Sequence, residues 1–115
     1  MNSLTLAYIG DAVYELYIRE KLIEKISKVN DLQKEAIKYV SATSQSKLLH
    51  DLLEKEFFTS KELEIIHRAR NHKGNRHPKN TDIITYKHAT AFEAIIGYLY
   101  LNDKSRLNEL LKEVI

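Results

Sequence analysis

"LAYIGDAVYELYIR", residues 6–19, decides how the rest of the chain is read. Its apolar residues return every three to four positions rather than every second one, the period of an α-helix that buries one face. The same spacing recurs along all 115 residues, and only three glycines and one proline interrupt it. The expectation is an all-α domain of about six helices with no strand. The first helix is predicted from Ser3 to Glu24, with Leu4, Ala7, Tyr8, Val13, Leu16, Tyr17 and Ile23 supplying apolar surface. A second begins at Asn30, with Gln33 as its capping-box partner and Leu32, Ala36, Tyr39 and Val40 facing inward, and stops near Ser41. A third starts around Ser44 and carries Leu48, Leu49, Leu52 and Leu53. In "FTSKEL", residues 58–63, Thr59 and Glu62 form a capping box while Phe58 and Leu63 stand at the staple positions, so a fourth helix starts near Ser60. The loop residues of "HKGNRHPKN", residues 72–80, follow it. Thr81 is the expected cap of a long fifth helix reaching Leu101, and Leu107, Leu110, Leu111 and Val114 mark a short sixth.

Composition narrows the function classes. A chain of this length suits one domain, residues 1–115, able to bury roughly 60–70% of its unfolded surface. With 43% hydrophobic and 30% charged residues it is not a disordered chain. The absence of cysteine excludes a disulfide framework, a zinc-thiolate site and a thiol nucleophile. No uncharged apolar run approaches the roughly 18 residues of a membrane span. The N-terminal stretch has no basic leader and carries charge at Asp11, so a mature, cytoplasmic protein is expected.

Two acids stand out against this background. On a helix, Asp11 shares a face with Leu4, Ala7, Tyr8, Glu15 and Ile18. A carboxylate there either reaches solvent at the edge of the core or is desolvated, which is costly unless a cation, a metal or several donors compensate. In "ATAFEAIIGYLYL", residues 89–101, the most apolar stretch of the chain, Glu93 is the sole ionisable side chain apart from tyrosines. Gly10 directly precedes Asp11, and Gly97 lies one helical turn beyond Glu93. A glycine inside a helix costs about 1 kcal/mol against alanine, so close approach of the two helices is the simplest reason for both. Tight packing alone explains the glycines but not an acid beside each. If the helices cross there, the two carboxylates face each other, and both stay ionised only with a cation between them. A hard, oxygen-seeking cation, Mg²⁺ or Mn²⁺, fits that chemistry.

The third feature is "HRARNHKGNRHPK", residues 67–79, with Arg68, Arg70, Lys73, Arg76, Lys79, three histidines and no acid. The chain has 18 basic and 16 acidic residues, a net charge of +2; without these five basic residues the balance is 13 against 16, or −3. The positive charge is therefore local. Such a run is either a solvated loop or an anion site; beside a carboxylate-metal site it suggests a phosphate backbone, gripped by Arg70, Lys73, Arg76 and Lys79. The histidines, with His50 and His88, form no motif of the HExxH kind, and zinc is not expected.

Taken together, "YIGDAVYE" resembles the ribonuclease III signature and "FEAIIGYLYL" resembles that family's second catalytic helix. "LAYIGDAVYELYIR", "YVSA", "RARN", "PKNTDIITY" and "TAFEAIIGYLYL" recur in the order found in the Mini-ribonuclease III branch, from about Leu4 to Leu101. The resemblance implies a helical, homodimeric, Mg²⁺-dependent endoribonuclease for double-stranded RNA, with Mn²⁺ as a substitute and no separate double-stranded-RNA-binding domain. It implies Asp11 and Glu93 as the catalytic, metal-holding acids, 5′-phosphate and 3′-hydroxyl products, and a role in maturing the 23S ribosomal RNA precursor during ribosome biogenesis. Glu15, one turn after Asp11, is open between supporting the metal site and pairing with a basic neighbour. Longer family members carry further acids where this chain has Leu4, Ala7 and Thr90. That departure motivates the alternative of an inactive RNA-binding or ribosome-assembly module with the same fold.

Overall fold

Six helices account for the architecture of the computed structural model, which describes residues 1–73, 79 and 82–115. They are α1 (Ser3–Ile23), α2 (Val29–Val40), α3 (Ala42–Glu54), α4 (Ser60–Arg70), α5 (Ile83–Asn102) and α6 (Lys104–Lys112). Among the described residues there is no strand.

Short polar side chains start most of these helices by accepting from otherwise orphaned backbone N–H groups. Asn2 accepts from the Thr5 N–H at 2.9 Å. The Thr59–Glu62 capping box is present in both directions, at 3.2 and 2.9 Å. Three predicted starts shift. The second helix begins at Val29 behind Lys28, which makes no side-chain cap, so Asn30 sits inside the first turn and the Asn30–Gln33 spacing is incidental. The third begins at Ala42 because Ser41 both ends α2, donating its N–H to Ile37, and caps α3 by accepting from the Ser44 N–H. The fifth is capped by Asp82, which accepts from the N–H and the hydroxyl of Thr85 at 2.9 and 2.8 Å. Thr81, the predicted cap, lies outside the described residues.

Helix α5 runs through the centre and packs against α1, α3, α4 and α6. Ala91, Phe92, Ala94, Ile95 and Ile96 are fully buried. Burying a large apolar side chain contributes about 1.5–3 kcal/mol, which offsets the helix cost of a glycine several times over. From α1 come Leu6, Ala7, Tyr14, Ile18 and Leu22. The Tyr14 ring meets Phe92 edge-on at 5.1 Å, and its hydroxyl donates to the Tyr39 carbonyl at 2.8 Å.

The buried face of α1 differs from the predicted one. Of the seven residues expected to supply it, Ala7 is buried and Val13 and Tyr17 are partly so, whereas Leu4, Tyr8, Leu16 and Ile23 stay exposed. Apolar residues surround most of this helix, so periodicity could not select which face meets α5.

At the crossing of α1 and α5 the backbones touch. A Cβ added to Gly10 would collide with the carbonyl oxygen of Glu93, and one added to Gly97 with the carbonyl oxygen of Leu6. The close approach expected from the two glycines is therefore present. A second fixed point ties α6 to α4: Arg106 donates from Nε and Nη2 to Glu62 at 2.9 Å each, and from Nη2 to the Phe57 carbonyl at 2.6 Å, while stacking 4.1 Å over the Phe57 ring.

Candidate active site

The glycine contact sets the positions of the acids. Because Gly10 is pressed against the backbone of Glu93, the next residue, Asp11, emerges at the rim of the crossing, with its carboxyl within hydrogen-bonding reach of Glu93. Asp11 is exposed and Glu93 half-buried. The desolvated acid is thus Glu93, and Asp11 reaches solvent despite its apolar neighbours in the helical projection.

Burial is the main force on Glu93. It raises the carboxyl from 4.5 to about 8, helped by hydrogen bonding to Asp11 and by the charges of Asp11 and Glu15, and opposed by a hydrogen bond from Gln45. Glu15 also lies 3.6 Å from Arg19 on its own helix, so it pairs with a basic neighbour and adds negative potential at Glu93. Asp11 and Glu93 thus lie within hydrogen-bonding reach of each other, and the charge of Glu15 acts on Glu93.

Such a donor set suits a hard cation. Carboxylate oxygens are the ligands Mg²⁺ and Mn²⁺ prefer, and a cation beside Glu93 would favour its ionised form against the burial and the neighbouring acids that raise it. Among the described residues no three His, Asp or Glu side chains converge to hold a metal unaided. Asp11 and Glu93 would hold it, leaving further positions to water or substrate. The positions that depart from the longer family members supply no help: Leu4 and Ala7 lack a donor atom, and the buried Thr90 hydroxyl donates to the Tyr86 carbonyl at 3.0 Å.

The basic residues divide. Arg70, at the end of α4, is half-buried, and its charge reaches His88 on α5. Burial first, then the charges of Arg70 and His50, lower the His88 pKa against the opposing pull of Asp82. Lys73 and Lys79 are exposed, and Arg76 lies outside the described residues.

One residue of the site was not anticipated. Gln45 on α3 is 2% exposed and lies within hydrogen-bonding reach of Glu93. Its signal was available: Gln45, Leu49 and Leu52 share a helix face, and all three are buried. A polar residue on a core stripe needs partners.

Residues 4–104 match the model of the ribonuclease III domain. The chain is 47% identical over 117 residues to a Mini-ribonuclease 3 of Staphylococcus aureus, covering 100% of this chain and 87% of that protein. It is 49% identical over 106 residues to a Mini-ribonuclease 3 of Desulfitobacterium hafniense, covering 91% of this chain and 66% of the relative. The crystal structure of a Fusobacterium nucleatum protein superposes with a TM-score of 0.89 at 30% identity, covering 99% of this chain and 93% of that one. A helical domain and an alignment that spans 91–100% of this chain agree: the chain belongs to the ribonuclease III family, among the Mini-ribonuclease 3 proteins.

Proposed function

We propose that this protein is a Mg²⁺-dependent endoribonuclease that cuts double-stranded RNA as a homodimer, acting in the cytoplasm on the precursor of 23S ribosomal RNA. The observation that carries the reading is that two acids, Asp11 and Glu93, come within hydrogen-bonding reach of each other at a crossing sealed by Gly10 and Gly97. A packed core gains nothing from such a pair; a site for a cation and a phosphate does.

Asp11 and Glu93 would hold the cation, and Glu15 adds to the negative potential that draws it in. When bound, the cation supplies Lewis-acid polarisation of the scissile phosphate and acidifies the attacking water. The protein's part is orientation: the glycine contact fixes the separation of the acids, and the buried face of α5 fixes Glu93. Exposed Arg and Lys side chains, among them Lys73 and Lys79, would meet the phosphates of a duplex, whose deep major groove leaves shape, 2′-hydroxyls and backbone as the features to read.

The exposed apolar residues of α1 support the dimer. Tyr8, Ala12 and Leu16 follow one another at single-turn spacing and are exposed, and Ala12 and Leu16 line a groove with Ile9, Tyr100 and Leu107. Twofold pairing over this face would carry two acid pairs along one side of the assembly, so both strands could be cut in one encounter. No helix of the described residues is long and apolar enough to cross a membrane.

Cleavage of a plain RNA duplex tests the reading. Mg²⁺ should give scission of both strands with 5′-phosphate ends, lost on chelation and restored by Mg²⁺ or Mn²⁺. Duplex binding without scission at any divalent concentration would instead support the inactive RNA-binding module. Replacing Arg70, Lys73, Arg76 and Lys79 together by alanine should weaken duplex affinity and flatten its dependence on salt, because fewer counterions are released. Unchanged salt dependence in the folded variant would remove these residues from the RNA interface.

A further inference from the structure

The oxygen donors around the two acids are few. Gly10 meets the Glu93 backbone, so Asp11 from α1 and Glu93 from α5 come to the same crossing. Side chains three or four positions away share a helix face with each acid and are the ones placed to add a ligand. On α5 these are Ala89, Thr90, Ile96 and Gly97, of which only Thr90 carries a side-chain oxygen. At 5% exposure its hydroxyl is turned back on its own helix, donating to the Tyr86 carbonyl at 3.0 Å. On α1 they are Ala7, Tyr8, Tyr14 and Glu15. Ala7 has no donor, Tyr8 offers a neutral phenol, and Tyr14 is buried with its hydroxyl on the Tyr39 carbonyl. Glu15 lies 3.6 Å from Arg19. From α3, Gln45 is buried and gives its Nε2 N–H to the Val40 carbonyl. Among the described residues, no three His, Asp or Glu side chains gather at one point.

Two carboxylates fill a minority of the about six oxygen positions that Mg²⁺ requires. Asp11 is exposed, so the remaining positions open outward, to water in the free protein and to phosphate oxygens when a duplex lies there. Exchanging neutral waters for charged phosphate oxygens strengthens the hold on the cation, and by linkage the cation strengthens the hold on the duplex by the same factor. We propose that the site is completed by its substrate: the free protein holds the divalent cation weakly through Asp11 and Glu93, and cation and duplex phosphate bind with positive coupling, because Thr90 stands where a third carboxylate would otherwise close the site. The inference rests on the reading of Asp11 and Glu93 as the acids that hold the cation.

Calorimetry with Mn²⁺ on the whole chain tests this, with and without a short RNA duplex that bears a 5′-phosphate, supplies phosphate oxygens and is too short to be cut. In wild type the duplex should tighten Mn²⁺ binding about tenfold, and Mn²⁺ should tighten duplex binding by the same factor. Thr90→Asp places a carboxylate one turn before Glu93. Without RNA it should bind Mn²⁺ about tenfold more tightly than wild type, and its coupling to the duplex should be smaller. Independent binding in wild type, each affinity unchanged by the other ligand, overturns the proposal. So does a folded Thr90→Asp protein that binds Mn²⁺ no more tightly than wild type. If Thr90→Asp does not fold, the wild-type coupling decides alone. Asp11→Asn and Glu93→Gln separate this inference from the reading beneath it. If neither weakens Mn²⁺ binding, with or without duplex, the acids are not the metal site; if both do and the wild type shows no coupling, the acids hold the cation and the substrate does not complete the site.

Discussion

Glu62 and Glu93 are two glutamates on helices, each facing a charged residue from another element, and their surroundings treat them oppositely. Burial pushes both carboxyls upward. At Glu62, hydrogen bonds and charge from Arg106, with further bonds from Thr59, outweigh that effect and bring it below the ordinary glutamate range. At Glu93 the nearest charge is Asp11, so burial and neighbour act together and raise it to about 8. The first acid is completed inside the fold and locks α4 to α6; the second meets other acids rather than a cation among the described residues. A satisfied buried charge holds structure together, whereas a frustrated one that persists marks a place where a cation is expected.

Removing the frustrated charges should produce the largest effect. Asp11→Asn or Glu93→Gln should lower duplex cleavage by on the order of 10³-fold, since a cation held by the two acids would supply several kcal/mol of transition-state stabilisation. Both variants should stay folded, because each relieves repulsion. Single-turnover cleavage at saturating RNA measures this, and a loss under tenfold in either variant would erase the contrast with Glu62.

The satisfied pair should respond in the opposite way. Arg106→Ala strands Glu62, whose side chain is 7% exposed, and should cost about 3 kcal/mol in urea unfolding. Activity per folded molecule should hardly change. Gly10→Ala should couple the two behaviours: its Cβ meets the Glu93 backbone, so stability should fall by about 1–3 kcal/mol and Mn²⁺ affinity should fall as the acids are forced apart. Loss of stability without loss of metal affinity would show that the crossing does not set the acid geometry.

Much of this was legible in the residues. The Thr59–Glu62 box, the helical period and the two glycines identified a helical domain and a close crossing, because caps and backbone contacts impose local chemistry that one sequence displays. The acid pair was legible for the same reason: an acid stood beside each glycine. What the sequence hid was direction. The exposure of Tyr8 and Leu16 depends on which face of an apolar helix meets α5, and periodicity alone does not choose. Arg106 is one of 18 basic residues, and nothing near it in sequence distinguishes it as the partner of Glu62, 44 positions away. Gln45 was readable as a polar residue on a core stripe, but its neighbour Glu93 follows only from packing of α3 on α5.

The contrast between the two glutamates can be measured without RNA. Glu93 binds its proton more tightly in the folded chain than in the unfolded one, so between pH 4.5 and about 8 its contribution to stability is progressively lost as pH rises. Glu62 runs the other way, stabilising above the ordinary glutamate value and losing that contribution as pH falls through its depressed pKa. The decisive measurement is the unfolding free energy of metal-free wild type and Glu93→Gln across that window, with and without Mg²⁺. The wild type should lose stability relative to Glu93→Gln as pH rises, and Mg²⁺ should restore it near pH 8 by binding only the folded, ionised pair. Parallel profiles for the two proteins, or a wild type that Mg²⁺ leaves unchanged, would contradict a frustrated acid pair that a cation completes.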